Sequence, residues 1–387
     1  MKRIFEGIRV LDLGRFVAAP YAATLLADFG AEVIRVERSE GEDDRILGLP
    51  SGSRDSYLYL NQARNKKAIT LNFLTNEKAR KLLMELAKKS DVFLHNFSPG
   101  VATHFGIDYE KIIEVNPRIV YAENSAFGSK GPYAERLGFD QVAQAISGAM
   151  SMTGQEDGPP LRTTIAYVDY STAILGAFGI ASALYQRELT GKGTKVETSL
   201  LNTAVAANAT ALSEYDATGK IRTRKGNTGW YGAPSDTYMS KDGQWIIVAL
   251  IHPSHFARFC KMIKREDLKT REDLQTAYDR FQHLGELDPL VRDWVAARTA
   301  EEVELEFTKA KLPFSRVYEI PEVLKDPQVI SEQAMVHVDC RESGQVKLVG
   351  TPVRLGGEPP KITLPPPGSA SITGRFIAVS WDTPRMI

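Results

Sequence analysis

In the segment TTIAYVDYSTAILGAFG, Asp169 stands between a short apolar stretch and a run of small residues that reads as a helix. Two chemistries suit an aspartate at such a junction. Its carboxylate can cap the helix by accepting the free N–H groups of the first turn. It can also attack an electrophile, because a helix N-terminus favours anions and small neighbours leave room for a substrate. Read locally, the cap is the plainer role, and the nucleophile needs support from elsewhere in the chain.

Other chemistries find little support. The first strand-to-helix turn, LDLGRFVAAP, carries one glycine, so the Gly-rich dinucleotide fingerprint is absent. Glu37 ends the second apolar run, and Arg38 beside it suits a phosphate or simply a solvated surface. His252 and His255 in HPSHF share a helical face without a third ligand, which suits a structural role. The nucleophile elbow, the Walker loop and the zinc-protease helix are all missing.

The elements around Asp169 alternate. IRVLDL (8–13), EVIRVE (32–37), AITLNF, DVFLHNF and PRIVYAENSAFG read as strands, and APYAATLLADFG (19–30) and NEKARKLLMELAKKSD as helices. Strand–helix alternation implies a parallel, doubly wound α/β sheet with ligands at the carboxyl ends of its strands. From Gly138 to Leu189 small residues dominate, which suits closely packed helices or a subunit interface. TGKGTKVETSLL reads as a further turn, strand and helix. IRTRKGNTGWYGAP (221–234) marks a boundary, DTYMSKDGQWIIVAL a hairpin turning at Lys241-Asp242-Gly243, and 254–310 a helical region. KLPFSRVYEIPEVLKDPQ reads as a linker, and the tail as short strands with a Pro-rich stretch.

The 387 residues suffice for more than one domain. Lys plus Arg and Asp plus Glu both number 48, and this neutrality argues against nucleic-acid binding through phosphates. Two widely spaced cysteines suit a reducing compartment and neither a disulfide framework nor a cysteine metal cluster. The N-terminal segment lacks the apolar core of a signal peptide, and no apolar stretch is expected to span a bilayer. A cytoplasmic protein is expected.

Four stretches taken in order resemble the class III CoA-transferases, the formyl-CoA and carnitine CoA-transferase (CaiB/BaiF) family. They are GIRVLDLGRFVAAPYAATLLADFGAEVIRVER, SDVFLHNFSPGV, SAFGSKGPYAERLGFDQVAQAISGAMSMTG and VDYSTAILGAFGIASALYQRELTGKGTKVETSL. The resemblance covers nearly the whole length. It implies a Rossmann-like large domain (1–225), a smaller α+β domain (226–325) and a C-terminal segment (326–387) returning to the large domain. Each subunit would form an open ring interlocked with a second copy. Coenzyme A and acyl-CoA would be substrates, with no permanently bound cofactor, no metal, and no nucleic-acid or membrane partner.

By the same resemblance Asp169 matches the catalytic aspartate, which forms an anhydride and then an aspartyl-CoA thioester. Phe16, Val17, Arg38, Leu71, Asn96, Phe97, His104 and Arg136 are the matching CoA-binding positions. His104 stands where some members have arginine, and Arg136 adjoins Leu137, which replaces a lysine. Tyr59 and Asp140 are expected in the acyl pocket. The loop GNTGWYG is expected to cover developing oxyanions, through Gly226, Asn227, Gly229 and Gly232. A racemase of the same fold is the nearest alternative. It needs a histidine where this chain has Phe139, which carries no proton. A CoA-binding protein without catalysis is the third reading.

Overall fold

Alternate residues of four short apolar runs feed two separate cores, which is why those runs read as continuously apolar. In β1 (Arg9–Asp12), Val10 enters one core and Leu11 the other. The computed structural model describes residues 3–51, 55–230, 232–340 and 343–368. After β1 come α1 (Ala18–Asp28), β2 (Glu32–Glu37), α2 (Tyr57–Ala63), β3 (Lys66–Thr70), α3 (Glu77–Lys88) and β4 (Val92–His95). Then follow α4 (Val101–His104), α5 (Tyr109–Val115), β5 (Val120–Ser125), α6 (Asp140–Ile146), α7 (Tyr167–Thr190) and β6 (Thr194–Ser199). The strands lie in the order β3-β2-β1-β4-β5-β6 with every pairing parallel. This is the doubly wound arrangement that the strand–helix alternation implies. The direction of winding reverses between β1 and β4, where a crevice opens at the carboxyl ends.

One core joins α1 to α7 through Ala19, Ala22, Ala23 and Leu26 against Ala173, Ala177 and Ile180. The small residues of α7 thus serve α1 and the sheet behind it. Gly193, just before β6, admits no side chain, because a Cβ would sit 1.9 Å from the Ile119 carbonyl oxygen. Contrary to the expectation that no apolar stretch could span a bilayer, α7 is long and apolar enough by length and composition. In the fold its inner face packs on the sheet, and Gly191 ends it with φ of 72°.

A buried ion pair ties the first crossover to the sheet. Lys66 on β3 donates to Asp12 at the end of β1 (2.8 Å) and to the Pro20 carbonyl of α1 (2.7 Å). Asp12 uses its other oxygen to accept the Gly14 N–H at 2.9 Å. Both side chains are fully buried, and each satisfies a partner that water cannot reach.

The chain divides into two compact units. The first holds 1–148, 163–209 and 327–387, and the second holds 149–162 and 210–326. Residues 149–162 and 210–225 thus fall in the second unit, whereas the large domain was expected to run unbroken to 225. Hydrogen bonds explain the grouping: Gly226 N–H donates to the Gly154 carbonyl, Arg224 donates to Gly158, and Lys225 pairs with Glu156 at 2.6 Å. Along the chain, α8 (Leu200–Ala207) belongs to the first unit, and α9 (Ala209–Thr218) carries the chain into the second. The second unit contains the expected hairpin, β7 (Ser235–Met239) and β8 (Trp245–Ala249). Its third strand, β9 (Phe314–Arg316), lies within the stretch expected to be a linker.

The tail returns to the first unit but adds no strand to its six-stranded sheet. It forms a separate hairpin of β10 (Met335–Asp339) and β11 (Gln345–Val349), whose Val338 and Leu348 pack with Leu60 and Ala63 of α2. Residues 369–387 of the expected C-terminal segment lie outside the described residues.

Replacing Asp12 with Ala strands the Lys66 ammonium in the core. The expected loss is about 3–5 kcal/mol of folding free energy, read from the urea midpoint. Wild-type stability in that variant would show that the pair does not hold the crossover.

Candidate active site

The carboxyl ends of β1 and β4 carry the residues that shape the crevice. After β1, Arg15 is gripped at both backbone groups: its N–H donates to Asn96 Oδ1 and its carbonyl accepts from Asn96 Nδ2, each at 2.8 Å. The next residue, Phe16, has φ of 60°. A bulky side chain rarely adopts that left-handed conformation, so the two-point clamp on its neighbour has a purpose. The Phe16 ring then meets Phe139 edge-on, with centroids 5.7 Å apart. Val17 is buried at the start of α1.

These residues line a cavity of about 560 Å3, together with His95, Asn96 and Phe97 from β4 and its turn, Arg136 and Leu137, and Asp169 from α7. Arg136 lies over the Tyr133 ring at 4.5 Å, leaving its charge at the wall. Phe16, Val17, Asn96, Phe97, Arg136 and Asp169, named from the sequence, therefore meet at one place.

Asp169 occupies the third position of α7, whose N-cap residue is Ala166. The cap itself comes from another helix. Asp140, the first residue of α6, accepts the N–H groups of Val168 (2.8 Å) and Asp169 (3.1 Å) with one carboxylate oxygen. Its other oxygen accepts from Gln144. Hence the local expectation that Asp169 caps its own helix is corrected: Asp140 does so, and Asp169 keeps its carboxylate for the cavity. Asp140, expected in the acyl pocket, is buried beneath α7 in this capping role.

The exchange changes the electrostatics as well. Burial, and next the nearby charge of Asp140, raises the Asp169 pKa from 3.8 to about 7. The helix end was expected to stabilise the Asp169 anion, but Asp140 has taken the N–H groups and added a like charge. The folded-state pKa lies above the unfolded one. The carboxyl's contribution to stability is therefore intact at low pH and is lost as pH rises from 3.8 through about 7.

The remaining expected site residues lie elsewhere. Tyr59 is fully buried away from the cavity, with Arg45 over its ring at 4.0 Å and its hydroxyl donating to the Pro367 carbonyl. Arg38 pairs with Asp43 (2.8 Å), Glu42 (3.2 Å) and Glu40 (3.8 Å), so a phosphate would have to compete with three carboxylates. Leu71 packs against the apolar core beside β3, and His104 is exposed on α4 against Phe105. Gly226, Asn227, Gly229 and Gly232 belong to the second unit, where Asn227 donates to Thr237 at 2.9 Å. Tyr231 in that loop lies outside the described residues.

Sequence reasoning missed Asp140 as a cap and His95 as part of the wall. Asp140 begins its own helix, and nothing in its neighbours points to α7. His95 adjoins Asn96 in HNFSPG but carried no ligand spacing. Among the described residues no group of three or more His, Cys, Asp or Glu is arranged to hold a metal.

Asp140 gives a two-part prediction. Asp140→Asn keeps an acceptor and removes the charge, so the Asp169 titration midpoint should fall by about one unit. Asp140→Ala also removes the cap and should lose about 1 kcal/mol of stability. Carbon-detected NMR titration of Asp169 and thermal melts read the two effects, and an unmoved midpoint in Asp140→Asn would contradict the coupling.

Known proteins share the sequence and the fold of this chain. The sequence profile of CoA-transferase family III matches residues 5–370. Succinyl-CoA–D-citramalate CoA-transferase of Chloroflexus aurantiacus is 33% identical over 358 residues, 92% of this chain and 89% of that protein. Succinyl-CoA:glutarate CoA-transferase of Homo sapiens is 32% identical over 363 residues, 94% of this chain and 82% of that protein. The crystal structure of a CaiB/BaiF family protein from Brucella suis superposes with a TM-score of 0.82 at 29% identity, covering 98% of this chain and 99% of that one. With its fold and its sequence of one kind, the chain belongs to CoA-transferase family III and is an enzyme of that class.

Proposed function

We propose that this enzyme passes CoA from an acyl-CoA to a free carboxylic acid through covalent intermediates on Asp169. The observation that carries the reading is the position of Asp169 in the cavity wall, with its capping duty taken by Asp140. Among the described residues no group donates a hydrogen bond to the Asp169 carboxylate, so it is free to attack.

The sequence balances without a net proton. An Asp169 oxygen attacks the thioester carbonyl, the C–S bond breaks, and CoA leaves as the thiolate with an acyl-aspartyl anhydride behind it. The thiolate then attacks the aspartyl carbonyl, releasing the donor as its carboxylate and leaving aspartyl-CoA. The acceptor carboxylate attacks that thioester, forming a second anhydride and releasing the thiolate once more. Attack of the thiolate on the acceptor's carbonyl forms the new acyl-CoA and returns the Asp169 carboxylate. Exclusion of water preserves both the anhydride and the thioester.

In this reading Phe16, Val17, Asn96, Phe97 and Arg136 hold the CoA, and CoA is a substrate, with no resident cofactor. The family's other CoA-contact positions, Arg38, Leu71 and His104, and the loop residues Gly226, Asn227, Gly229 and Gly232, are assigned by resemblance alone. Two relatives named for succinyl-CoA act with citramalate and glutarate, and a third, from Acetobacter aceti, is named for acetyl-CoA and oxalate. Small dicarboxylic acids are accordingly the proposed acceptors. Phe139 argues against the racemase, since a phenyl ring beside the cavity moves no proton.

An interlocked homodimer is proposed as the working form. The outer face of α7 exposes Ile174, Leu175, Phe178, Tyr185 and Leu189, an apolar stripe suited to a second copy. Sedimentation at twice the chain mass is expected, and a monomer at working concentration would contradict it. The cytoplasm is the proposed location, supported by two cysteines that are both free and buried. Cell fractionation tests it.

Asp169→Ala and Asp169→Asn should reduce acyl exchange by at least about three orders of magnitude with the fold intact. Full exchange in either variant would sink the mechanism. Because the nucleophile is the carboxylate, kcat/KM for the acyl-CoA should fall about tenfold per pH unit below the Asp169 pKa of about 7. A profile flat from pH 5 to 8 would contradict that assignment.

A further inference from the structure

His95 closes β4 at its carboxyl end and lines the cavity, yet the transfer chemistry does not use it. Its ring is buried, with both nitrogens engaged. Nδ1 lies 3.3 Å from the Phe97 backbone nitrogen. A backbone N–H can only donate, so Nδ1 accepts and the ring proton resides on Nε2. Nε2 faces the Tyr121 hydroxyl at 2.7 Å and donates to it, and the phenol proton is then directed to the Ile107 carbonyl at 3.1 Å. Each polar hydrogen in this buried chain has one acceptor. The ring also stacks on Phe97, with centroids 4.8 Å apart and planes at 17°. Burial, and then Lys195, pushes the imidazole pKa down to about 3, so the ring stays neutral at working pH.

The chain of contacts continues to the cavity's other wall. His95 sets the backbone of Phe97, and between them Asn96 holds both backbone groups of Arg15. Arg15 in turn precedes Phe16, whose left-handed conformation costs about 1–2 kcal/mol unless the surroundings enforce it. We propose that His95 is a positioning residue, locking the 95–97 turn and, through Asn96, the Arg15–Phe16 turn in the shape that receives a CoA thioester. This rests on reading the cavity as the CoA site.

The test uses the full-length enzyme with His95→Phe, His95→Gln, Tyr121→Phe and Arg136→Ala. Calorimetric CoA affinity, KM for acyl-CoA and for the acceptor acid, kcat and melting temperature are measured for each. His95→Phe keeps the stacking ring and loses both hydrogen bonds. Its CoA Kd and acyl-CoA KM should rise about tenfold, with kcat within about twofold and the acceptor KM unchanged. Tyr121→Phe should move the same way by a smaller factor. Glutamine both donates and accepts, so His95→Gln should recover most of the affinity.

Arg136→Ala separates the two readings. If it weakens CoA binding while folded His95→Phe binds CoA normally, the positioning role is overturned and the cavity remains the CoA site. Should neither variant alter CoA affinity, the cavity reading fails and this proposal falls with it. A glutamine variant no better than the phenylalanine one would rule out the hydrogen-bond relay. If His95→Phe does not fold, Tyr121→Phe carries the test, and wild-type CoA affinity there overturns the proposal.

Discussion

The carboxylate of Asp140 takes the first-turn N–H groups of α7, and the character of the site follows from that exchange. Helix ends need acceptors, and the nearest acidic side chain in the sequence, Asp169, is the obvious supplier. A cap delivered from α6 frees Asp169 and places a like charge beside it. The free carboxylate is desolvated, repelled and raised to a pKa of about 7. A carboxylate of higher pKa is a better nucleophile once ionised, but a smaller share of it is ionised at a given pH. That compromise is a property of two helices, since neither aspartate alone produces it.

Around this pair the sheet does what a doubly wound sheet does best. Its winding reverses between β1 and β4, and two turns diverge there to leave a crevice. The chain stiffens both turns with buried polar groups. Lys66 and Asp12 hold the base of the first turn, Asn96 clamps the first turn to the second, and the His95–Tyr121 pair backs the second. Phe16 is thereby kept in a conformation it would not choose alone.

The strand–helix alternation and the hairpin at Lys241-Asp242-Gly243 were legible in the sequence, because periodicity and turn chemistry are local signals, whereas the grouping of Phe16, Asn96, Phe97 and Asp169 came only from the family resemblance. The role of Asp140 was not, because the N–H groups it caps lie 28 and 29 residues away along the chain. Nor was the fate of Arg38. A basic residue after a strand suggests phosphate, but the acidic loop that follows folds back onto it through Glu42 and Asp43. Tyr59 misled for a similar reason: its ring is used to shield Arg45 in a buried charge network. The strand within the supposed linker, β9, is three residues long and visible only through its pairing with β8. Long-range pairing of charges and edges is what single-sequence reading lacks.

The most direct test of the account is intact-protein and peptide mass spectrometry of the wild-type enzyme after brief exposure to acyl-CoA without acceptor acid. The account requires a CoA adduct on the peptide containing Asp169, lost on addition of acceptor and absent from Asp169→Asn. Steady exchange at the wild-type rate with no adduct at Asp169 under rapid quenching would contradict it.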